Sequence, residues 1–339
     1  MAVSSLSAIS SALSLTFDKK LARQWNRMAR TISMLDAKPG NGKSVNWDVS
    51  LSGQTAATHT EGADVSSGEF LIDVKAPAIL SWGLYRNAFG LTEHQLEAAL
   101  NSKDSAEQLM QLLEESVYES VAALANKLNV DLFAGDGTSN ALVGLDSSLI
   151  TSSTYAGINV GTYPVFASTV NANGAVPRAL TVDLMNTVEA AIFTASGHRP
   201  DFWVTTPALH AKYKGLFEPI RRVVGDSPGA YDTGVQDDMT YFMGVPVIRD
   251  KDCPAGKMYA LNKSAVDMAY MPPAQFGDSL SFSVKMGAGS NGEEDEQTGI
   301  PFKIQALAKT GDSVKFFIRT ACQLRVRHPN RCAVIKDLA

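Results

Sequence analysis

Cysteine, histidine and catalytic signatures are all scarce in this chain. Cys253, Cys322 and Cys332 are too few and too widely spaced for a disulfide framework or a zinc site, and such usage fits a reducing compartment. Among His59, His94, His198, His210 and His328, no two stand at ligand spacing. His59 beside Glu61 could suggest a metal pair or a base, but scattered loop and core histidines account for the set better. Neither C-x-x-C nor H-E-x-x-H occurs. Gly135-Asp136-Gly137-Thr138 is glycine-rich, yet it follows a helical pattern instead of a strand and lacks the Lys-Ser/Thr of a phosphate loop. It reads as a helix-terminating turn. The residues therefore predict no catalytic set, no cofactor and no metal.

Long apolar runs are missing as well. Residues 147–177 carry no charge, which is long enough to span a bilayer, but Ser, Thr, Asn and Gly fill them and they read as a polar connection. The first 17 residues are also uncharged, without a leading Lys or Arg, a continuous apolar core or a small-residue cleavage site, which argues against a secretory signal. What is present, 45% hydrophobic and 19% charged residues with 26 Gly and 14 Pro, suits one or two globular domains and excludes disordered and collagen-like classes.

The formal charge of −5 is unevenly spread. Residues 1–43 hold seven basic and two acidic side chains, residues 44–299 hold 15 and 31, and residues 300–339 hold eight and two. Both ends are basic and the middle is acidic, so the mean says little about polyanionic or basic partners.

Residues 1–43 begin with Val3, Leu6, Ile9, Leu13 and Phe17 at helical spacing among serines, followed by Lys19, Lys20, Arg23, Arg27 and Arg30. The segment reads as an amphipathic arm with a cationic second half. A transit peptide would share its Ser and Arg content, but Asp18 interrupts it and no cleavage signature follows. Val45, Trp47, Val49 and Leu51 then alternate with polar residues, as do Phe70, Ile72 and Val74, which predicts two strands joined by a long polar tip. An isolated hairpin of this kind is marginal in water, so it is expected to pack on another domain or subunit.

The strongest helical pattern runs over 106–131, introduced by Ser105 and Gln108 as a capping box and carrying Leu109, Leu112, Leu113, Val117, Val121, Leu124 and Leu128. A second helix is expected over 182–196 with Leu184, Val188, Ile192 and Ala195 inward and Gly197 as its stop. Phe202-Trp203-Val204-Thr205 reads as a buried strand, and Thr206-Pro207 opens a short helix to about residue 214. Strands follow at 245–248, 257–261, 265–270 and 280–284. A closing hairpin turns at Thr310-Gly311-Asp312, with Ile318, Thr320, Cys322, Leu324 and Val326 on one face of its second strand. The other face carries Lys315, Arg319, Gln323, Arg325 and Arg327. Arg325 and Arg327 beside His328 and Arg331, and the pair Arg221-Arg222, could serve a nucleic-acid contact, an intersubunit salt bridge or plain solubility. Glu293-Glu294-Asp295-Glu296, flanked by glycines, lacks the alternating ligands of a calcium loop and reads as a solvated loop or a patch facing a basic partner.

The order of these elements resembles the major capsid proteins of tailed bacteriophages. The residues that carry the likeness are Gly68-Glu69-Phe70-Leu71-Ile72-Asp73-Val74-Lys75 through Leu128, then Asp131-Leu132-Phe133-Ala134-Gly135-Asp136-Gly137-Thr138 and Gly144-Leu145. Phe242-Met243-Gly244-Val245-Pro246-Val247-Ile248 is similar to the family's axial-domain strand, and Val314 to Arg319 with His328 to Ile335 to its closing strand pair.

The resemblance implies an α+β subunit: an N-terminal arm at 1–43, an extended hairpin at 44–80, a peripheral domain at 81–178 and 295–328 around a spine helix at 106–131, and an axial domain at 179–294 and 329–339. It implies self-assembly through pentamers and hexamers into an icosahedral virion shell, assembled in the host cytoplasm, around double-stranded DNA held by non-specific contact. The expected intersubunit residues are Val45, Trp47, Val49, Leu51, Phe70 and Ile72 in the hairpin and Lys19, Lys20, Arg23, Arg27 and Arg30 in the arm. Further expected partners are a separate scaffolding protein, since no scaffold-sized segment precedes the hairpin, a portal and a cementing protein, with no membrane. The tip, residues 52–68, lacks the lysine that some members join to a neighbour's asparagine, so a shell without that covalent cross-link is expected. An encapsulin, a compartment of similar fold that houses cargo enzymes, is the alternative.

Overall fold

The computed structural model describes residues 30–52, 58, 61–62, 75–92, 94, 105–221, 240–272, 279–285, 299–307 and 313–339. Lys19, Lys20, Arg23, Arg27, Phe70, Ile72, Arg222 and the acidic run at 293–296 lie outside the described residues.

In chain order the elements are α1 (Arg30–Met34), β1 (Asp36–Pro39), β2 (Ser44–Ser50), β3 (Lys75–Ser81), β4 (Gly83–Thr92), α2 (Ser105–Ala134), α3 (Leu145–Ser148), β5 (Thr154–Tyr155) and β6 (Ile158–Asn159). There follow β7 (Thr169–Asn171), α4 (Val182–Ser196), β8 (Phe202–Thr205), α5 (Pro207–Arg221), β9 (Thr240–Phe242), β10 (Val245–Arg249), β11 (Met258–Leu261) and β12 (Val266–Tyr270). The chain closes with β13 (Ser279–Lys285), β14 (Gly299–Ala306), β15 (Ser313–Val326) and β16 (Ala333–Ile335).

Two sheets organise them. In the first, the long strand β15 takes β4 along one edge, with Phe317 opposite Ala88, while β14 and β12 share its other edge. β1 adds to β12 in parallel, and β13 adds to β14. The second sheet runs β7-β16-β11-β8-β10-β9. Strands β12 and β13 fall in the span expected for the axial domain, yet both belong to the sheet built on β15.

The second sheet is apolar on both faces, which is why Phe202-Trp203-Val204 reads as an unbroken run. Phe202, Val204, Tyr259, Leu261 and Val334 face a core shared with α2 and the first sheet. Trp203, Met258, Ala260 and Ile335 face the opposite way, against Met185, Val188 and Ile192 of α4 and Leu209 and Tyr213 of α5. Helix α4 has the expected bounds: the Thr181 hydroxyl accepts from Leu184 N at 3.2 Å, and Gly197 ends it at φ 68°. Its buried face is turned toward Met185 and Glu189, leaving Ala195 exposed. Helix α5 continues past residue 214 to Arg221.

Helix α2 has 30 residues, about 45 Å at 1.5 Å per residue, and ends three residues beyond the expected stop. Leu132 and Phe133 carry the buried stripe onward, Phe133 meeting Tyr259 at 5.6 Å between ring centroids. The stop itself is a backbone crossing. Gly144 N donates to Gly135 O at 2.8 Å, and a Cβ on Gly144 would stand 2.5 Å from Asp131 O, so neither strand of the crossing has room for a side chain.

Residues 147–177 are more than a polar connection. Leu149, Tyr155, Ile158, Val160 and Phe166 are buried, and the Tyr155 hydroxyl accepts from Val326 N at 3.0 Å. Their apolar residues come in short groups among small polar ones and show no period, so the sequence pattern hides their role. Among the described residues no helix is long and apolar enough to cross a membrane.

Gly144→Ala should lower stability by about 2 kcal/mol or more, whereas Gly215→Ala, with open space around its position inside α5, should raise it by about 0.5–1 kcal/mol. Thermal melts of the two variants, moving in opposite directions, check the crossing.

Candidate assembly surfaces and the junctions that hold them

The N-terminal segment is secured where it enters the body. Asp250, buried at the end of β10, accepts at Oδ2 from Thr31 N at 3.2 Å and Thr31 Oγ1 at 2.5 Å, which ties down α1. Its Oδ1 accepts from Asn129 Nδ2 at 2.8 Å and Asp252 N at 3.0 Å. One carboxylate thus joins the root of the arm, helix α2 and the second sheet, each contact a charge-assisted hydrogen bond. The next residues run as β1 along β12, with Asp36 opposite Asp267. Of the arm cations expected at subunit contacts, Arg30 begins α1 and the others precede the described residues.

The base of the hairpin differs from the expectation in two ways. β2 pairs with Lys75–Ser81, Val45 standing opposite Leu80 and Trp47 opposite Ala78, so the strand returning to β2 lies C-terminal to Phe70, Ile72 and Val74. Val45, Val49 and Leu51 are only 2%, 6% and 4% exposed, inside the chain's own main core. The two-stranded base is carried by its own subunit: Ile79 N donates to Ala156 O at 2.9 Å, and Trp47 packs at 6.3 Å from Tyr155. Of the two partners expected for the hairpin, another domain or another subunit, the base takes the first, packing on residues 147–177, which the sequence presents only as a polar connection. Trp47 is half-buried, and Ile79 on the facing strand is exposed.

Arg325 is also not a surface residue. Its guanidinium grips Asp267 with two bonds, Nε to Oδ1 at 2.7 Å and Nη2 to Oδ2 at 2.9 Å, and Gln323 beside it is buried. The period-2 pattern placed these residues on the strand's outward polar face, open to a nucleic-acid contact, an intersubunit salt bridge or plain solubility, but residues 322–326 of β15 are buried on both sides. Arg327 Nε stands 3.0 Å from the same carboxylate and Lys38 Nζ 3.5 Å away. His328, next along, is held below its ordinary pKa by partial burial and then by Arg331, Arg327 and His198.

A third junction links α3 to the second sheet: Asp146 accepts from Lys257 Nζ at 2.5 Å and from the Tyr259 hydroxyl of β11 at 2.8 Å. At the C-terminal end of α2, Asp131 accepts from Tyr85 at 2.9 Å and Lys127 at 2.8 Å. None of these long-range partners has a sequence signal; Asp250-Lys251-Asp252 looks like any polar turn.

The chemistry of nucleophiles finds little support. All three cysteines are buried and free, and burial pushes the thiols of Cys322 and Cys332 up to about 12. Gly225-Asp226-Ser227-Pro228-Gly229 has the spacing of a nucleophile elbow and lies outside the described residues. It follows helix α5, where an elbow needs a strand, and Pro228 lacks the N–H that would have to bind the oxyanion.

The family model of the SU10 major capsid protein matches residues 99–339, most of the chain. The chain belongs to the SU10 major capsid protein family. Solved structures agree on the fold. The capsid asymmetric unit of cyanophage A-1(L) is 19% identical with a TM-score of 0.71, covering 92% of this chain and 93% of that one. The capsid of a native GTA particle is 14% identical at TM-score 0.58, with 91% and 89% coverage. The SrpI encapsulin complex of Synechococcus elongatus PCC 7942 is 12% identical at TM-score 0.56, with 91% and 87% coverage. No curated protein matches the chain. The α+β fold expected from the resemblance is thus the fold of this capsid family, and the phage shell is favoured over the encapsulin.

Asp250→Ala would strand the Thr31 and Asn129 donors in a buried site and should cost about 3 kcal/mol, with Asp250→Asn costing less. Urea denaturation of the unassembled subunit measures both; equal midpoints for wild type and Asp250→Ala would refute the junction.

Proposed function

We propose that this major capsid subunit assembles through pentamers and hexamers into an icosahedral virion shell, formed in the host cytoplasm, that encloses double-stranded DNA. The observation that carries the reading is the SU10 major capsid protein match across residues 99–339. In this reading the sheet built on β15, with α2, forms the peripheral part, and the second sheet with α4 and α5 forms the axial part. Rings of five or six copies need rotationally related, heterologous contacts. The arm and the hairpin tip are the segments proposed to make them, because their roots at Thr31 and at β2 and β3 are fixed to the body.

Val45, Val49 and Leu51 drop out of the proposed contact set, being consumed by the subunit's own core. Lys19, Lys20, Arg23, Arg27 and Arg30 remain in it, directed at an acidic neighbouring surface or at the genome, as do Phe70 and Ile72 and the half-buried Trp47. The acidic balance of residues 44–299 limits tight adhesion of DNA to the shell. A separate scaffolding protein, a portal and a cementing protein complete the proposed partners.

Particles purified from producing cells should contain nuclease-protected double-stranded DNA, and replacing the five arm cations by Gln should lower the yield of filled particles about tenfold or more. Particles loaded with an enzyme and free of DNA would turn the reading to an encapsulin; an unchanged yield would remove the arm from it. The absence of lysine from the tip predicts single-chain bands when assembled particles are boiled, reduced and run on denaturing gels, and a covalent ladder would contradict it.

A further inference from the structure

The end of β15 gathers more positive charge than the residues around it can neutralise. Asp267, its side chain 3% exposed, is surrounded by Arg325, Arg327 and Lys38. Arg325 is fully engaged, but the side chains of Lys38 and Arg327 remain 45% and 37% exposed, and Arg327 Nε contacts the carboxylate without the alignment of a hydrogen bond. His328 and Arg331 extend the ridge, with Arg331 Nη1 donating to the Ser264 hydroxyl at 3.1 Å. His198 lies beside them, and its charge and those of Arg327 and Arg331 oppose protonation of His328.

Among the described residues, few carboxylates compete for this ridge. Asp36, opposite Asp267 in register, is exposed at its edge. Glu189 is taken by Arg199, and Asp201 accepts from Lys263 N at 2.7 Å. The ridge therefore keeps a net positive field over exposed side chains whose stems are already positioned, the arrangement that favours a polyanionic partner.

The sequence supplies one such partner. Residues 286–298 join β13 to β14 and contain Glu293-Glu294-Asp295-Glu296, four successive carboxylates. β14 pairs with β15 only over Lys303 to Ala306, whereas β13 and β14 continue together to the pair Lys285 and Gly299. Beyond Lys303 the two strands pair only with each other, Phe302 still being buried in the main core. A two-stranded ribbon is marginal in water without another surface to rest on.

We infer that the basic ridge formed by Lys38, Arg327, His328 and Arg331 is an intersubunit docking surface for the acidic segment Glu293-Glu294-Asp295-Glu296 of a neighbouring copy of this chain. The inference rests on the shell reading and adds to it a specific contact. One ridge and one acidic segment per subunit give a head-to-tail interface, which closes into rings or repeats around a shell. Charge complementarity of this kind sets partner register and encounter rate.

The test is a charge swap in the full-length protein, read as particle yield by sedimentation and electron microscopy. Lys38→Glu with Arg331→Glu, which leaves the Arg325–Asp267 pair intact, should lower yield about tenfold or more, and so should Lys for each of the four acidic residues. Combining both sets should restore assembly. Near-normal yield from the acidic-segment variant, or no recovery in the combined variant, would overturn the inference, as would shells of normal yield that have lost only DNA, the sign of a genome contact instead. As a readout that does not depend on yield, Glu294→Cys with Arg331→Cys should give an oxidised ladder of multiples on non-reducing denaturing gels. A cross-link confined to single chains, or none, would count against a neighbour as the occupant. If the unaltered protein forms no particles under any condition, the shell reading itself fails.

Discussion

Two buried carboxylates, Asp250 and Asp267, decide where the N-terminal segment leaves the body of the subunit. A buried charge is costly unless it is paired or well hydrogen-bonded: Asp267 is paired with Arg325, and Asp250 accepts from Thr31, Asn129 and Asp252. Asp250 binds Thr31 on one side and Asn129 on the other, across 219 and 121 positions of sequence. Asp267 sits on β12, beside β1, and is clasped by Arg325 of β15. Together they turn a short helix and an edge strand, which would have little stability alone, into fixed roots for the chain that precedes them.

The same logic extends through the molecule. Helix α2 lies against the main core, and its C-terminal end is held by the Gly135–Gly144 crossing, by Asp131 with Tyr85 and Lys127, and by Phe133 against Tyr259. The second sheet can be apolar on both faces because α2 and its surroundings cover one and α4 and α5 the other. Asp146 adds a polar strut from α3 to β11. The base of the hairpin belongs to this unit, packed on another part of its own chain, with Val45, Val49 and Leu51 in the core.

What could be read from the residues alone divides along the range of the interactions involved. Local signals were reliable: the caps and stops of α4, the N-cap Thr206 of α5, the buried run of β8 and the stripe of α2 all depend on neighbours within a few residues. β4, whose Gly83-Leu84-Tyr85-Arg86 alternates poorly, escaped notice because its place is set by β15, more than 200 residues later. Arg325 was assigned to a polar face because alternation cannot reveal that a buried Asp267 waits opposite. The return strand of the hairpin was shifted toward Phe70 and Ile72 because their aromatic and β-branched side chains outweigh Ala76 and Ala78 in strand propensity, while the pairing is decided by what the base packs on. The candidate contact residues were least legible, since a sequence pattern marks a strand as half-apolar without saying whose core it enters.

The central claim is that the subunit secures the roots of its arm and hairpin internally and gives their distal parts to its neighbours. An electron cryomicroscopy reconstruction of assembled particles, traced at side-chain level, tests it most directly. The account predicts a closed shell in which Thr31–Asp250, Arg325–Asp267 and the β2–β3 base persist within one chain, while residues before 30 and between 53 and 74 lie against adjacent copies. A shell whose arm and tip fold back onto their own subunit, or in which Val45, Val49 and Leu51 have been withdrawn to pack on a neighbour, would contradict it.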